Sequence, residues 1–280
     1  DGLQSISSIM PTESKKAWIE AQYRAGTPEI EVGSFVPAKL LPQLADTAEL
    51  VTFATTLPGL TVAALVPNLR GLEAAVAAGA HKVSIPLSMS ETHSVRNVNK
   101  THAQMRDEIQ RCLDFLDTLP GKQRPDFEVG LATAFGCTIE GRVPEARVIG
   151  MAENLIAMGV DEVGLSDTTG SGNPRQLQRL AEGIWSQCGR DSLTGVHLHN
   201  TRGQGLANAL KAVDLGFTTI DSSLGGIGGC PWAPGASGNI VTEDLVFLLE
   251  AMGLNTGIDL EALFKVRELV GAALPNEELY

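Results

Sequence analysis

The chain of 280 residues is 43% hydrophobic and only 19% charged, enough apolar material to bury a large core without disulfide staples. Its formal net charge of −12 argues against a protein that coats nucleic acid or an anionic membrane, since both require clustered Lys and Arg. No apolar run approaches the roughly 20 residues of a membrane span, and the cysteines at 112, 137, 188 and 230 form no paired motif, which reads as free thiols in a reducing compartment.

The chain opens on Asp1-Gly2-Leu3-Gln4 without an initiator methionine or a charged-then-apolar leader. That opening reads as the middle of a motif, so the sequence is expected to be a partly reported chain. Short β-rich apolar runs follow at residues 29–36, 61–67, 82–87, 127–133, 162–166, 193–199 and 218–223. Helical spacing occupies 13–25, 71–78, 101–118, 144–158, 174–188 and 205–215 between them. Asn173-Pro174 and Thr242-Glu243-Asp244 carry residues suited to helix starts, and Ala25-Gly26, Ala78-Gly79 and Met158-Gly159 carry the glycine of helix ends.

Strict alternation of strand and helix is the signature of a parallel sheet, with helices covering it. The first helix has no strand before it, so a strand at or just upstream of Asp1 raises the count to eight. The expected fold is then a (β/α)8 TIM barrel formed by a single domain, 1–280, ending in C-terminal helices. Polar or Gly-rich segments sit after the strands, at Ser34, Pro67-Asn68, 88–93, 167–170, 199–201 and 223–226. A barrel keeps its active site at that face, whereas the rival, a doubly wound open sheet, concentrates ligands at one or two switch points.

In Val196-His197-Leu198-His199 the imidazoles are two apart on a predicted strand and so share one face, here the lumen. They read as half of a divalent-metal site, the alternative being two hydrogen-bonded core histidines. His93 is placed near the site, and His81 and His102 on the surface. Acidic or amide groups at strand ends, Asp1, Glu31, Asp167 and Asn239, are available to complete an oxygen-rich sphere suited to Mg²⁺ or Mn²⁺. Residues 228–239 set Cys230, Trp232 and Asn239 among glycines at 228, 229, 235 and 238, a composition that folds a loop closely over a ligand. The bland alternative is a flexible surface loop. Cys230 is not needed as a ligand, which leaves its sulfur for proton transfer or nucleophilic work.

Asp1-Gly2-Leu3-Gln4, Ser34-Phe35-Val36, Ser166-Asp167-Thr168, His197-Leu198-His199 and the loop at 228–239 resemble the 3-hydroxy-3-methylglutaryl-CoA lyases of the DRE-TIM metallolyase superfamily, in register from Asp1 to about Ala272. The resemblance implies metal ligands at Asp1, His197, His199 and Asn239. It makes Cys230 a proton-transfer thiol at the acetyl-CoA end, Glu31 an acidic group near the metal, Asp167 a substrate-site carboxylate, and Gln4 and Ser34 neighbouring polar positions. It also places a catalytic arginine immediately before Asp1, outside the sequence. Cys137-Thr138-Ile139-Glu140, Trp232 and Asn200 depart from the commonest family residues and look bacterial.

The implied reaction is a metal-dependent retro-Claisen cleavage of 3-hydroxy-3-methylglutaryl-CoA, or a close 3-hydroxyacyl-CoA, to acetyl-CoA and a keto acid such as acetoacetate. His197 or Asp167 is the expected acceptor of the hydroxyl proton. Leucine catabolism or ketone-body metabolism is the implied setting, in the cytoplasm of a bacterium or the mitochondrial matrix of a eukaryote. The expected partners are an acyl-CoA substrate and a second copy in a homo-dimer, with no nucleic acid and no membrane. Two rivals stand beside this reading: a condensing or aldol enzyme on the same barrel, against which the Cys230 loop speaks, and a non-catalytic acyl-CoA-binding barrel.

Overall fold

The computed structural model describes residues 2–229 and 238–279; Asp1, residues 230–237 with Cys230 and Trp232, and Tyr280 lie outside the described residues. The strands are β1 Glu29–Ser34, β2 Thr61–Leu65, β3 Lys82–Ser88, β4 Asp126–Ala132, β5 Glu162–Asp167, β6 Gly195–Leu198 and β7 Thr219–Asp221. The helices are α1 Thr12–Arg24, α2 Thr47–Ala54, α3 Leu69–Ala78, α4 Glu91–Val98, α5 His102–Leu116, α6 Glu145–Met158, α7 Pro174–Cys188, α8 Gly205–Leu215, α9 Thr242–Ala251 and α10 Leu260–Ala273. No helix among the described residues is long and apolar enough to cross a membrane.

One junction recurs. After α1, α3, α6 and α8 a glycine with positive φ (Gly26, Gly79, Gly159, Gly216) stops the helix, and a strand begins three residues later at Glu29, Lys82, Glu162 or Thr219. A left-handed residue closes a helix by turning the chain out of the helical path, and glycine adopts it without a Cβ clash. The turn then feeds each strand beside the previous one, and all six adjacent pairs are parallel in chain order β1 to β7. The result is a curled α/β sheet of TIM-barrel type. Its seven strands among the described residues match the seven apolar runs, and the eighth expected at or before Asp1 falls outside them.

Alternation along the strands divides the molecule into two layers. Val163, Leu165, Val196 and Leu198 are at most 1% exposed and face the helices, where Leu177, Leu180, Ala181 and Ile184 of α7 form the matching apolar stripe. The opposite parity faces the lumen and is polar. Near the amino ends of the strands, Lys82 Nζ lies 2.8 Å from Glu128 Oε2 and 2.8 Å from Glu162 Oε1. A Cβ on Gly164 would come within 2.2 Å of Glu128 Oε1, so the absent side chain is what lets this ion cluster form.

Two helices escaped the sequence reading for opposite reasons. α2, Thr-Ala-Glu-Leu-Val-Thr-Phe-Ala, is apolar on most sides and has no clear stripe, whereas α4 is a short polar run whose only apolar residues are Val95 and Val98, too few to announce a helix. α4 instead depends on its ends: Ser90 Oγ accepts from His93 N at 3.2 Å, and Asn99 closes the helix with φ 54°. The run at 193–199 is also shortened to Gly195–Leu198, which leaves His199 one residue beyond the strand.

Candidate active site

His197 and His199 are held by different means. His197 is paired in the ladder with Ser166 on one side and Asp221 on the other, so its ring enters the lumen flanked by both. His199 continues past β6 in an antiparallel bridge to Asn239. Hydrogen bonds on either side of that bridge, Asn200 N to Gly238 O and Ile240 N to Leu198 O, both 3.1 Å, make it the narrow kind of pair, in which opposed side chains lie closest on one face. The segment carrying Asn239 can approach because Gly238 has no side chain: a Cβ there would lie 1.8 Å from Gly226 O.

The two Nε2 atoms face one another at 3.2 Å. Two nitrogens each about 2.1 Å from one cation would be about 3.0 Å apart at a right angle and about 3.4 Å apart at a tetrahedral angle, so the spacing fits a shared ion. His199 is 1% exposed and Asn239 is 4% exposed. Asn239 Nδ2 donates to Ile227 O at 3.1 Å, which fixes the amide plane. Among the described residues no three His, Cys, Asp or Glu side chains converge on a metal-holding point. The donors gathered there are the two imidazoles and the Asn239 amide. Asp1 and Cys230, the other residues expected at this centre, lie outside the described residues.

Asp221 was not read from the sequence as part of the site. Its Oδ2 lies 3.1 Å from His197 Nδ1. Desolvation works to raise the Asp221 carboxyl, but the hydrogen bond and charge of His197 together with the charge of Lys82 outweigh it and leave the group below the ordinary aspartate value. A carboxylate on the outer nitrogen of a ligating imidazole fixes its tautomer and ring orientation. Spacing cannot reveal this partner, because it depends on strand register; 24 residues separate the two.

Asp167, expected as a substrate-site carboxylate, is tied to its own loop. It is fully buried, with Oδ1 accepting from Ser171 N and Oδ2 from Gly172 N, both at 2.9 Å. Burial holds its carboxyl above the ordinary aspartate value despite these two amides. Both oxygens therefore brace the loop at 167–172, and only their remaining lone pairs are available to a substrate. Ser34, at the end of β1, is 7% exposed, and its Oγ has no hydrogen-bond partner among the described residues. Glu31 Oε2 accepts from Ser84 Oγ at 3.2 Å across the lumen. Gln4 Oε1 accepts from Gly2 N at 2.6 Å, tying the opening turn.

The remaining histidines divide differently from expectation. His81 is exposed, its Nδ1 accepting from Val62 N at 3.1 Å. His102 is half-buried rather than superficial, with Nε2 2.7 Å from Ser88 O. His93 does not line an open site: it is 1% exposed, with Nδ1 3.1 Å from Ser88 Oγ, and burial lowers its pKa. Glu243, read only as a first-turn residue, is buried and accepts from Gly225 N with both oxygens, at 3.2 and 3.0 Å. It secures the turn against which Gly238 packs.

A family model described as HMGL-like matches residues 1–270. The hydroxymethylglutaryl-CoA lyase YngG of Bacillus subtilis is 38% identical over 283 aligned residues, covering 100% of this chain and 93% of that protein. The mitochondrial hydroxymethylglutaryl-CoA lyase of the mouse, Mus musculus, is 38% identical over 276, covering 98% and 83%. Among solved structures, an HMG-CoA lyase from Acinetobacter baumannii in complex with coenzyme A and 3-methylmalate superposes with a TM-score of 0.93 at 38% identity, covering 100% of this chain and 90% of that one.

Proposed function

Since the chain belongs to the HMGL-like family, we propose that it is a carbon–carbon lyase that cleaves 3-hydroxy-3-methylglutaryl-CoA to acetyl-CoA and acetoacetate. The observation that carries this reading is the opposition of His197 and His199, Nε2 to Nε2 at 3.2 Å, beside Asn239 on the face where the strands end. Full-length similarity to hydroxymethylglutaryl-CoA lyases supports the substrate.

The residues that would hold a divalent cation are His197, His199, Asn239 and Asp1. Bound there, Mg²⁺ or Mn²⁺ supplies Lewis acidity that lowers the pKa of the tertiary hydroxyl. Asp221 keeps His197 Nδ1 occupied, so that Nε2 is directed inward. With Nδ1 on Asp221 and Nε2 toward the cation, His197 has no lone pair left for a proton, which makes Asp167 the better acceptor of the two candidates. A carboxylate has lone pairs beyond the two amide bonds that Asp167 accepts. Loss of the hydroxyl proton drives cleavage of the bond between C2 and C3, and the electron pair passes to the thioester enolate. Cys230 S–H then protonates C2 of that enolate to give acetyl-CoA. Ser34 Oγ and Glu31 would contact the acyl portion or its bound water.

The test is product analysis with an arginine placed immediately before Asp1, Mn²⁺ present and 3-hydroxy-3-methylglutaryl-CoA as substrate. Acetyl-CoA and acetoacetate in equal amounts are expected. Condensation of acetyl-CoA with a keto acid, without cleavage, would move the protein to the condensing enzymes. Binding of acyl-CoA with neither reaction would make it a non-catalytic barrel.

A further inference from the structure

Only two non-glycine residues with positive φ occur among the described residues, Asn99 at 54° and Thr133 at 57°. Asn99 closes α4, a place where asparagine is common. Thr133 has no such excuse. It is β-branched, fully buried and directly follows β4, and the left-handed region crowds its Cβ.

What surrounds it is a belt of buried hydroxyls across the ends of β3, β4 and β5. Thr133 Oγ1 lies 2.8 Å from Ser88 Oγ and accepts from Ser90 N at 3.1 Å. Thr133 N donates to Thr168 Oγ1 at 2.9 Å, next to Asp167. Ser88 Oγ is in turn 3.1 Å from His93 Nδ1, and His93 N is capped by Ser90 Oγ. Ser88, Ser90, His93, Thr133 and Thr168 are each at most 7% exposed, so water cannot substitute for these bonds.

The backbone that leaves Thr133 walls one side of the candidate site. Ala134 N donates to the carbonyl of Ser166, the residue in register with His197. Phe135 packs on Gly172, where a Cβ would meet its ring at 2.7 Å and Asp167 Oδ2 at 2.9 Å. Thr169 Oγ1 donates to Gly136 O, and Gln176 Nε2 to Phe135 O. The segment at 134–137 is therefore docked on the very loop that Asp167 braces.

We propose that His93 and Ser88 are positioning residues, which through the hydroxyl of Thr133 hold that residue in the left-handed region and so dock residues 134–137 against the Asp167 loop. Neither is among the residues given a role in cleavage. Their effect is exerted through the turn, and its consequence for turnover rests on the cleavage reading above, whereas its conformational consequence does not.

The logic gives a rescue experiment. Glycine adopts a φ of 57° without help, so a chain with Thr133→Gly should no longer need the belt. His93→Phe alone is expected to lower kcat/KM for 3-hydroxy-3-methylglutaryl-CoA about 10- to 100-fold, mainly through KM, as misplacement of a site wall does, and to speed amide hydrogen exchange in residues 134–141. His93→Phe combined with Thr133→Gly is expected to recover both to within about threefold of Thr133→Gly alone. Ser88→Ala, with and without Thr133→Gly, repeats the test with a smaller change to the core. If the double variants stay as impaired as the single ones, the belt does not act through the turn and the proposal fails. Unchanged exchange and kinetics in both His93→Phe and Ser88→Ala would overturn it equally. Should the parent protein prove inactive, the exchange measurement still decides the conformational claim while the cleavage reading falls separately.

Discussion

His197 Nδ1 and Asp221 Oδ2 stand 3.1 Å apart across adjacent strands, and this contact fixes which nitrogen of His197 faces His199. The register β5–β6–β7 brings Ser166, His197 and Asp221 into one row. The candidate centre is thus aligned by the register of the sheet. Asp221→Asn should keep the fold but allow the wrong imidazole tautomer. We expect Mn²⁺ affinity to fall about 10- to 100-fold, read by calorimetric titration, with an unchanged far-ultraviolet spectrum. Unaltered affinity would mean that Asp221 does not orient the ring.

Gly238 sits where a Cβ would meet Gly226 O at 1.8 Å. Gly238→Ala must therefore push the Asn239 segment away from the turn that Glu243 secures. A cost of about 1–3 kcal/mol is expected for such overpacking, seen as a lower Tm, together with weaker Mn²⁺ binding. A loss of Tm without any change in metal affinity would separate Asn239 from the centre.

The lumen ion cluster sets a pH dependence of stability. Burial raises the Glu128 carboxyl to about 7 from its ordinary value of 4.5, against the pull of Lys82. Between those values the folded chain holds a proton that the unfolded chain has released, so this group's stabilisation is present at low pH and is lost as pH rises through about 7. Glu29 is raised by burial in the same sense, while the lowered pKa of His93 opposes it. The clean readout is therefore a difference: Glu128→Gln should show a shallower fall in Tm between pH 5 and 7.5 than the parent, roughly the window of that titration. Parallel profiles would assign the pH dependence elsewhere.

Cys230 carries a role inferred from sequence alone. With His197, His199, Asn239 and Asp1 sufficient to hold a cation, Cys230→Ala should lose at least about 100-fold in kcat, the range typical of a removed acid–base group. Manganese content should stay near stoichiometric. Loss of bound metal in this variant would make the thiol a ligand instead.

Much of this was legible beforehand because the fold repeats itself. The glycine of Ala25-Gly26, Ala78-Gly79 and Met158-Gly159 marks helix ends in the sequence, and in the structure each precedes a strand by three residues. His197 and His199 were visible as a pair because their spacing is local. Asp221, Glu243 and the belt of Ser88, His93 and Thr133 were not, since each acts through register or through contacts between separate loops. Asp167 was legible as a candidate carboxylate at a strand end, but its two amide partners come from a turn that sequence does not disclose. α2 was missed because it is apolar on most sides, and α4 because it is short and carries only two apolar residues.

The most direct test of a cation held by His197 and His199 and used for cleavage is acetyl-CoA release from 3-hydroxy-3-methylglutaryl-CoA, titrated with Mn²⁺ in the metal-stripped protein and in His199→Ala, both with the arginine placed before Asp1. The parent should turn on with saturable Mn²⁺ dependence, while His199→Ala should need at least about tenfold more Mn²⁺, a loss of 1.4 kcal/mol or more, and reach a lower plateau. Full release by the stripped parent without added metal, or identical titrations for the two proteins, would contradict the account.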